Sequence, residues 1–173
     1  MNHHDMTRNM VLAALFAALT AIGAFLQIPT GTVPITLQFL FTALAGLLLG
    51  WKWGAISQLL YVGIGLLGLP VFTQGGGIGY VLQPSFGFLL GLIPAAAVIG
   101  ALTARRTGYL TVLAAVLVGD LILYAVGVPY MYLILHVYMQ SAKTFPALLA
   151  AMLVYVPGDT LKIIVVTALA PVL

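Results

Sequence analysis

The chain has no cysteine and no glutamate, and only 5% of its 173 residues are charged. Without thiols there is no disulfide framework, no thiolate metal site and no cysteine nucleophile. The shortage of charge excludes more. A soluble domain carries roughly 25% charged residues, whereas 63% of this chain is hydrophobic. Such a sequence cannot cover a water-facing surface, and it reads as an all-α integral membrane protein embedded in a lipid bilayer. Six Lys and Arg against three Asp give a formal charge of +3. The basic residues are scattered and form no stripe that would follow a phosphate backbone, so nucleic acid is set aside as a partner. Catalytic patterns are missing too. The chain contains no P-loop, HExxH or GxSxG signature. Ser57, Ser85 and Ser141 have only His136 as a partner outside the N-terminus, which does not make a nucleophile–base set. Gly63-Ile-Gly-Leu-Leu-Gly68 matches a dinucleotide fingerprint in letters, but it lies inside an apolar run with no strand before it. The adjacent His3 and His4 read as incidental rather than as a metal site. Neither an enzyme nor a cofactor or metal site is expected.

What is present is a series of runs long enough to cross a bilayer, which takes about 20 apolar residues. The expected spans are 8–27, 35–50, 53–69, 84–104, 108–127 and 157–173, in one domain covering 1–173. The first is read as a retained helix rather than a cleaved signal. Pro29, Gly31 and Pro34 mark a loop after it, and Trp51-Lys-Trp-Gly54 marks a tight turn. Residues 69–83 are too rich in glycine for a helix. Residues 128–156, broken by Pro129, Gln140, Lys143 and Pro146, are expected to hold one or two short helices. Six crossings put both termini on one side. If that side is the cytoplasm, Arg8, Lys52, Arg105 and Arg106 lie inside and only Lys143 outside, as the positive-inside rule requires. The glycine-rich loop, the broken connector and the start of the last span then share the outer face.

That start, Val156-Pro-Gly-Asp-Thr-Leu-Lys162, is the strongest functional signal. Asp159 and Lys162 are three apart, which on a helix places them on one face. A charge at the centre of a bilayer costs roughly 2.5–3.5 kcal/mol on insertion scales, so the pair is expected to face a protein interior and form the polar floor of a pocket. Pro157 and Asp159 suit a first helical turn. Asp120, inside the fifth span, is expected to pair with Lys162 or to be protonated, with Tyr124 one turn on. The stretch Gln74–Tyr80 reads as a lid or close-packed loop, flanked by Tyr80, Gln83 and Phe86. Their amide and rings suit a ligand with polar edges and an apolar ring. On the first span, Ala13, Ala17 and Ala21 recur every four residues, as do Ala14 and Ala18, a pattern that lets membrane helices approach closely. Spacing alone favours packing within the chain over docking to a partner.

Four blocks, PITLQFLFTALAGLLLG at 34–50, ISQLLYVGIGLLGLPVF at 56–72, GGGIGYVLQPSFGFLLG at 75–91 and VPGDTLK at 156–162, resemble the BioY family in order and spacing. These are biotin-binding subunits of energy-coupling-factor vitamin transporters. The resemblance implies a six-helix bundle with an outward-facing pocket and biotin as transported ligand. It also implies partners, namely a transmembrane coupling subunit and two ATP-binding cassette ATPases, in the cytoplasmic membrane. It turns the alanine-rich first helix toward docking, with Ala13, Ala14, Ala17, Ala18 and Ala21 as the surface. Biotin has an apolar bicyclic ring, a urea and a carboxylate. Asp159, Lys162 and Gln83 suit its polar groups, and Tyr80, Phe86 and Tyr130 suit its ring. Which polar residue meets which end stays open. The alternatives are a subunit for another vitamin and a facilitator acting alone.

Overall fold

The computed structural model describes residues 3–30, 33–105 and 108–169. Gly31, Arg106 and residues 170–173 of the expected last span lie outside them. Helix α1 is His3–Phe25. A two-residue antiparallel pair, β1 (Gln27–Ile28) with β2 (Ile35–Thr36), closes the loop after it. The helical run α2, Gln38–Leu66, breaks at Gly50, where φ is 75° and ψ is 178°. A continuous helix would hold Gln38 and Tyr61 about 35 Å apart at 1.5 Å per residue. Instead Gln38 Nε2 donates to Tyr61 Oη over 2.7 Å, and Thr42 Oγ1 donates to Gln58 Oε1 over 3.0 Å. A Cβ on Gly54 would meet Gly46 Cα at 2.9 Å. The run is therefore a hairpin of two antiparallel arms, 38–49 (α2a) and 51–66 (α2b). The expected Trp51–Gly54 turn is tighter than anticipated. One glycine at positive φ reverses the chain, and Lys52 already belongs to the second arm.

Helix α3 is Phe86–Thr103 and α4 is Tyr109–Leu133, which runs on as a π-helical turn, Ile134–Tyr138. The fifth span thus extends past Pro129, which sits inside the helix. In a bilayer, leaving the helix would strand several backbone groups, whereas proline forfeits one bond. The connector holds a short helix, α5 (Phe145–Ala151), and a 3-10 turn, Met152–Val154, before α6, Val156–Leu169. Among the described residues four runs, α1 to α4, are long and apolar enough to cross a membrane, and α5–α6, bent by 55°, is a broken fifth. With α2 taken as its two shorter arms, the described residues hold six helical segments in the bundle.

Small residues set the packing. A Cβ at Gly91 would meet the Leu123 backbone at 3.1 Å, and one at Gly87 or Gly119 would run into Tyr130 or Ile99. Helices α3 and α4 therefore lie antiparallel at close range. On the other side, a Cβ at Gly100 would strike the backbone of Gly50 and Trp51. Arg8 and Phe16 of α1 share a groove with Leu48 and Leu49. These contacts gather Arg8, Lys52 and Arg105 at one end of the bundle.

Candidate functional site

Pro157 and Asp159 lie in the first turn of α6, whose first helical bond runs from Asp159 N to Tyr155 O. One turn on, Lys162 Nζ lies 2.5 Å from Asp159 Oδ1. Lys162 also donates to the Thr36 carbonyl of β2 over 3.2 Å. Tyr124 of α4 donates its hydroxyl to Asp159 Oδ2. Both carboxylate oxygens therefore have donors. Asp159 is 6% and Lys162 8% exposed, so the pair is withdrawn from lipid as its insertion cost requires.

The pair forms part of the wall of a cavity of about 630 Å³, its open mouth included. The room it leaves for a ligand is about 70 Å³, below the roughly 300–1,000 Å³ typical of small-molecule sites, so a bicyclic ligand needs the walls to part. The loop before α2 supplies Val33 to Thr36, and α2a supplies Gln38 and Phe39. Apolar and aromatic walls come from Phe88, Leu92, Leu123 and Tyr155, with Tyr80 opposite. The loop is pinned down from α5–α6. Tyr155 Oη donates to the Val33 carbonyl, and Val33 packs among Val128, Met131, Leu148 and Met152.

The cavity brings together three of the expected site residues, Asp159, Lys162 and Tyr80. The other four do not line it. Phe86 is 2% exposed and stands behind Tyr80, with ring centroids 6.3 Å apart, and Tyr130 stands 5.9 Å behind Phe86. Tyr130 Oη donates to the Val81 carbonyl over 2.6 Å, fixing the 3-10 turn Ile78–Leu82 that carries Tyr80. Gln83 caps that turn through its backbone, its N–H donating to the Tyr80 carbonyl. The expected Asp120–Lys162 pair does not form, because Lys162 is taken by Asp159 and Thr36. Asp120 Oδ1 is buried without a hydrogen-bond partner. Among the glycines of the glycine-rich segment only Gly76 is tightly packed, against the Leu69 backbone, while Gln74, Ile78 and Gly79 are exposed. Phe72 is fully buried against Gly65, where a Cβ would collide with its ring.

Helix α1 separates its alanines by face. Ala13 and Ala17 are 0% and 4% exposed, and Ala21 packs against the core. These three pack α1 against this chain's own bundle. Ala14 and Ala18 are exposed on the outer face. Sequence reading missed Thr36, Gln38 and Tyr155 as cavity residues. A glutamine at the head of an apolar span was a signal for Gln38, since a lone amide in lipid needs a partner.

The chain is similar over its whole length to one family of known proteins. The BioY family model matches residues 1–173. The chain is 54% identical over 141 residues to the probable biotin transporter BioY of Lysinibacillus sphaericus, covering 80% of this chain and 72% of that protein. It is 35% identical over 164 residues to the biotin transporter BioY of Thermotoga maritima, covering 94% of each. A crystal structure of the S-component for biotin from an ECF-type ABC transporter superposes with a TM-score of 0.85 at 29% identity, covering 98% of this chain and 92% of that one. A multi-pass bundle with a sealed acid–base pair on its cavity wall, matched end to end by one family, leaves a single assignment: this chain belongs to the BioY family.

Proposed function

We propose that this chain is the biotin-specific subunit of an ECF-type vitamin transporter, a transport protein and not an enzyme, with residues 1–173 forming one transmembrane substrate-binding domain. The observation that carries the reading is the buried Asp159–Lys162 pair on the wall of a largely apolar cavity. A neutral pair with spare hydrogen-bonding capacity suits the polar groups of biotin, and the aromatic walls suit its bicyclic ring. Asp159 and Lys162 are the central ligand residues and Tyr80 is a wall. Phe86 and Tyr130 act by holding Tyr80, Gln83 acts through the turn it caps, and Asp120 sits behind the pair.

Biotin enters from outside, and release inward is driven by a transmembrane coupling subunit with two ATP-binding cassette ATPases. Support for that partner is the exposed small-residue face of Ala14 and Ala18, flanked by exposed Leu15 and Ile22. Support for a cytoplasmic-membrane orientation with both termini inside is the gathering of Arg8, Lys52 and Arg105 at the end opposite the cavity. Mass spectrometry of the small molecule retained by the purified protein tests the reading. Biotin is expected at near-equal molar ratio. Another vitamin in its place would overturn the specificity. Biotin flux into liposomes holding this chain alone would overturn the need for a coupling partner.

A further inference from the structure

Gln38 opens α2a, lines the cavity with Lys162 and is only 7% exposed. The two ends of an amide are alike in shape and opposite in hydrogen bonding. Here the neighbours decide which end is which. Tyr61 Oη gives its one proton to the Val71 carbonyl over 3.1 Å, so toward Gln38 it can only accept. The amide nitrogen must therefore face Tyr61, at 2.7 Å. The amide oxygen is left to Thr36 Oγ1, which donates to it over 2.8 Å. The same Thr36 receives Lys162 Nζ on its carbonyl. One residue of β2 thereby fixes the spacing of the ammonium and the amide.

These bonds leave a definite surplus. Gln38 keeps one N–H and one lone pair on Oε1, and Lys162 keeps one N–H. The matching ligand group is a carbonyl flanked by N–H donors, which is a cyclic urea. A carboxylate offers acceptors only and would add negative charge to a buried site that already holds Asp159. We propose that Gln38 is a specificity-determining residue that reads the urea head of the ligand together with Lys162, and that Tyr61 is the positioning residue that keeps its amide from turning over. The proposal rests on the biotin reading above and assigns the urea to this wall and the carboxylate away from it.

The test is equilibrium binding of radiolabelled biotin to the full chain in detergent, with competition by 2-iminobiotin and by biotin amide. In 2-iminobiotin a guanidine carrying only donors at that edge replaces the urea carbonyl. Biotin amide alters the tail alone. Gln38→Glu presents acceptors only, so the ratio of biotin to 2-iminobiotin affinity should fall by roughly tenfold or more, as expected for a site built to hydrogen-bond one group. Tyr61→Phe should lower the same ratio several-fold and leave the ratio of biotin to biotin amide unchanged. A parallel loss of all three ligands in both variants would overturn the assignment and leave Gln38 a packing residue. If Gln38→Glu is not monodisperse, Tyr61→Phe decides alone. Failure of the unmodified chain to bind biotin would instead strike the parent reading.

Discussion

Replacing Lys162 by methionine keeps the stem and removes the ammonium. Asp159, 6% exposed, then retains Tyr124 as its hydrogen-bond donor, and the Thr36 carbonyl loses Lys162 Nζ. Breaking a buried pair from one side costs about 3–5 kcal/mol, because the survivor stays uncompensated. At about 1.4 kcal/mol per decade, that is between two and four decades in affinity if the whole cost appears in the bound state. Part of it will appear as lowered stability of the free protein, so two measurements are needed. Equilibrium dialysis with radiolabelled biotin reads the affinity, and thermal unfolding in the same detergent reads the stability. Asp159→Asn should also lose affinity, since one amide oxygen cannot accept from both Tyr124 and Lys162 and the ammonium stays buried without its counter-charge. The double variant should be milder than the sum of the singles, with a coupling of about 0.5–3 kcal/mol as for groups in one network. Single variants within threefold of the parent in affinity, or strictly additive losses, would refute the argument that this pair is the polar centre of the site.

Other outcomes follow from the same packing. Ala14→Trp and Ala18→Trp should leave biotin binding intact and abolish uptake in cells carrying the full transporter. Ala17→Trp, at 4% exposure, should lower the yield of folded protein instead. Gly65→Ala should cost about 1–3 kcal/mol in thermal unfolding, since Phe72 has no room to retreat. Gln58→Leu should cost no more than about 1.7 kcal/mol, the upper end for hydrogen bonds between membrane helices. Its partners Thr20, Thr42 and Ser57 all keep a bond to their own helix. Asp120→Asn should not destabilise the protein in the same assay, because Oδ1 has no hydrogen bond to lose.

Much of this fold was legible in the chain's hydropathy. Long apolar runs with sparse breaks leave few ways to cross a bilayer, and the start of α6 was fixed by Pro157 and Asp159. The end of the fifth span was misjudged because proline is a weaker stop in lipid than in water. The alanines show a different limit. A four-residue period proves a shared stripe for Ala13, Ala17 and Ala21, but says nothing about what the stripe faces. Within the site, Asp159 and Lys162 were visible because ionic groups are rare here. Gln38 and Tyr61 were not, because their contact depends on where the chain reverses. Once Gly50 is known to be the reversal point, residues summing to about 100 must face each other, and 38 finds 61.

The ammonium of Lys162 rests partly on a main-chain oxygen, that of Thr36, and not on a side chain alone. Every residue type supplies that oxygen, so substitution at position 36 leaves the acceptor itself in place. What governs it is where the strand sits. In a two-residue ladder a slip of one step turns each carbonyl to the opposite side. An insertion or deletion between positions 29 and 34 would therefore turn the acceptor away from Lys162, which tolerance to point changes at position 36 would never reveal.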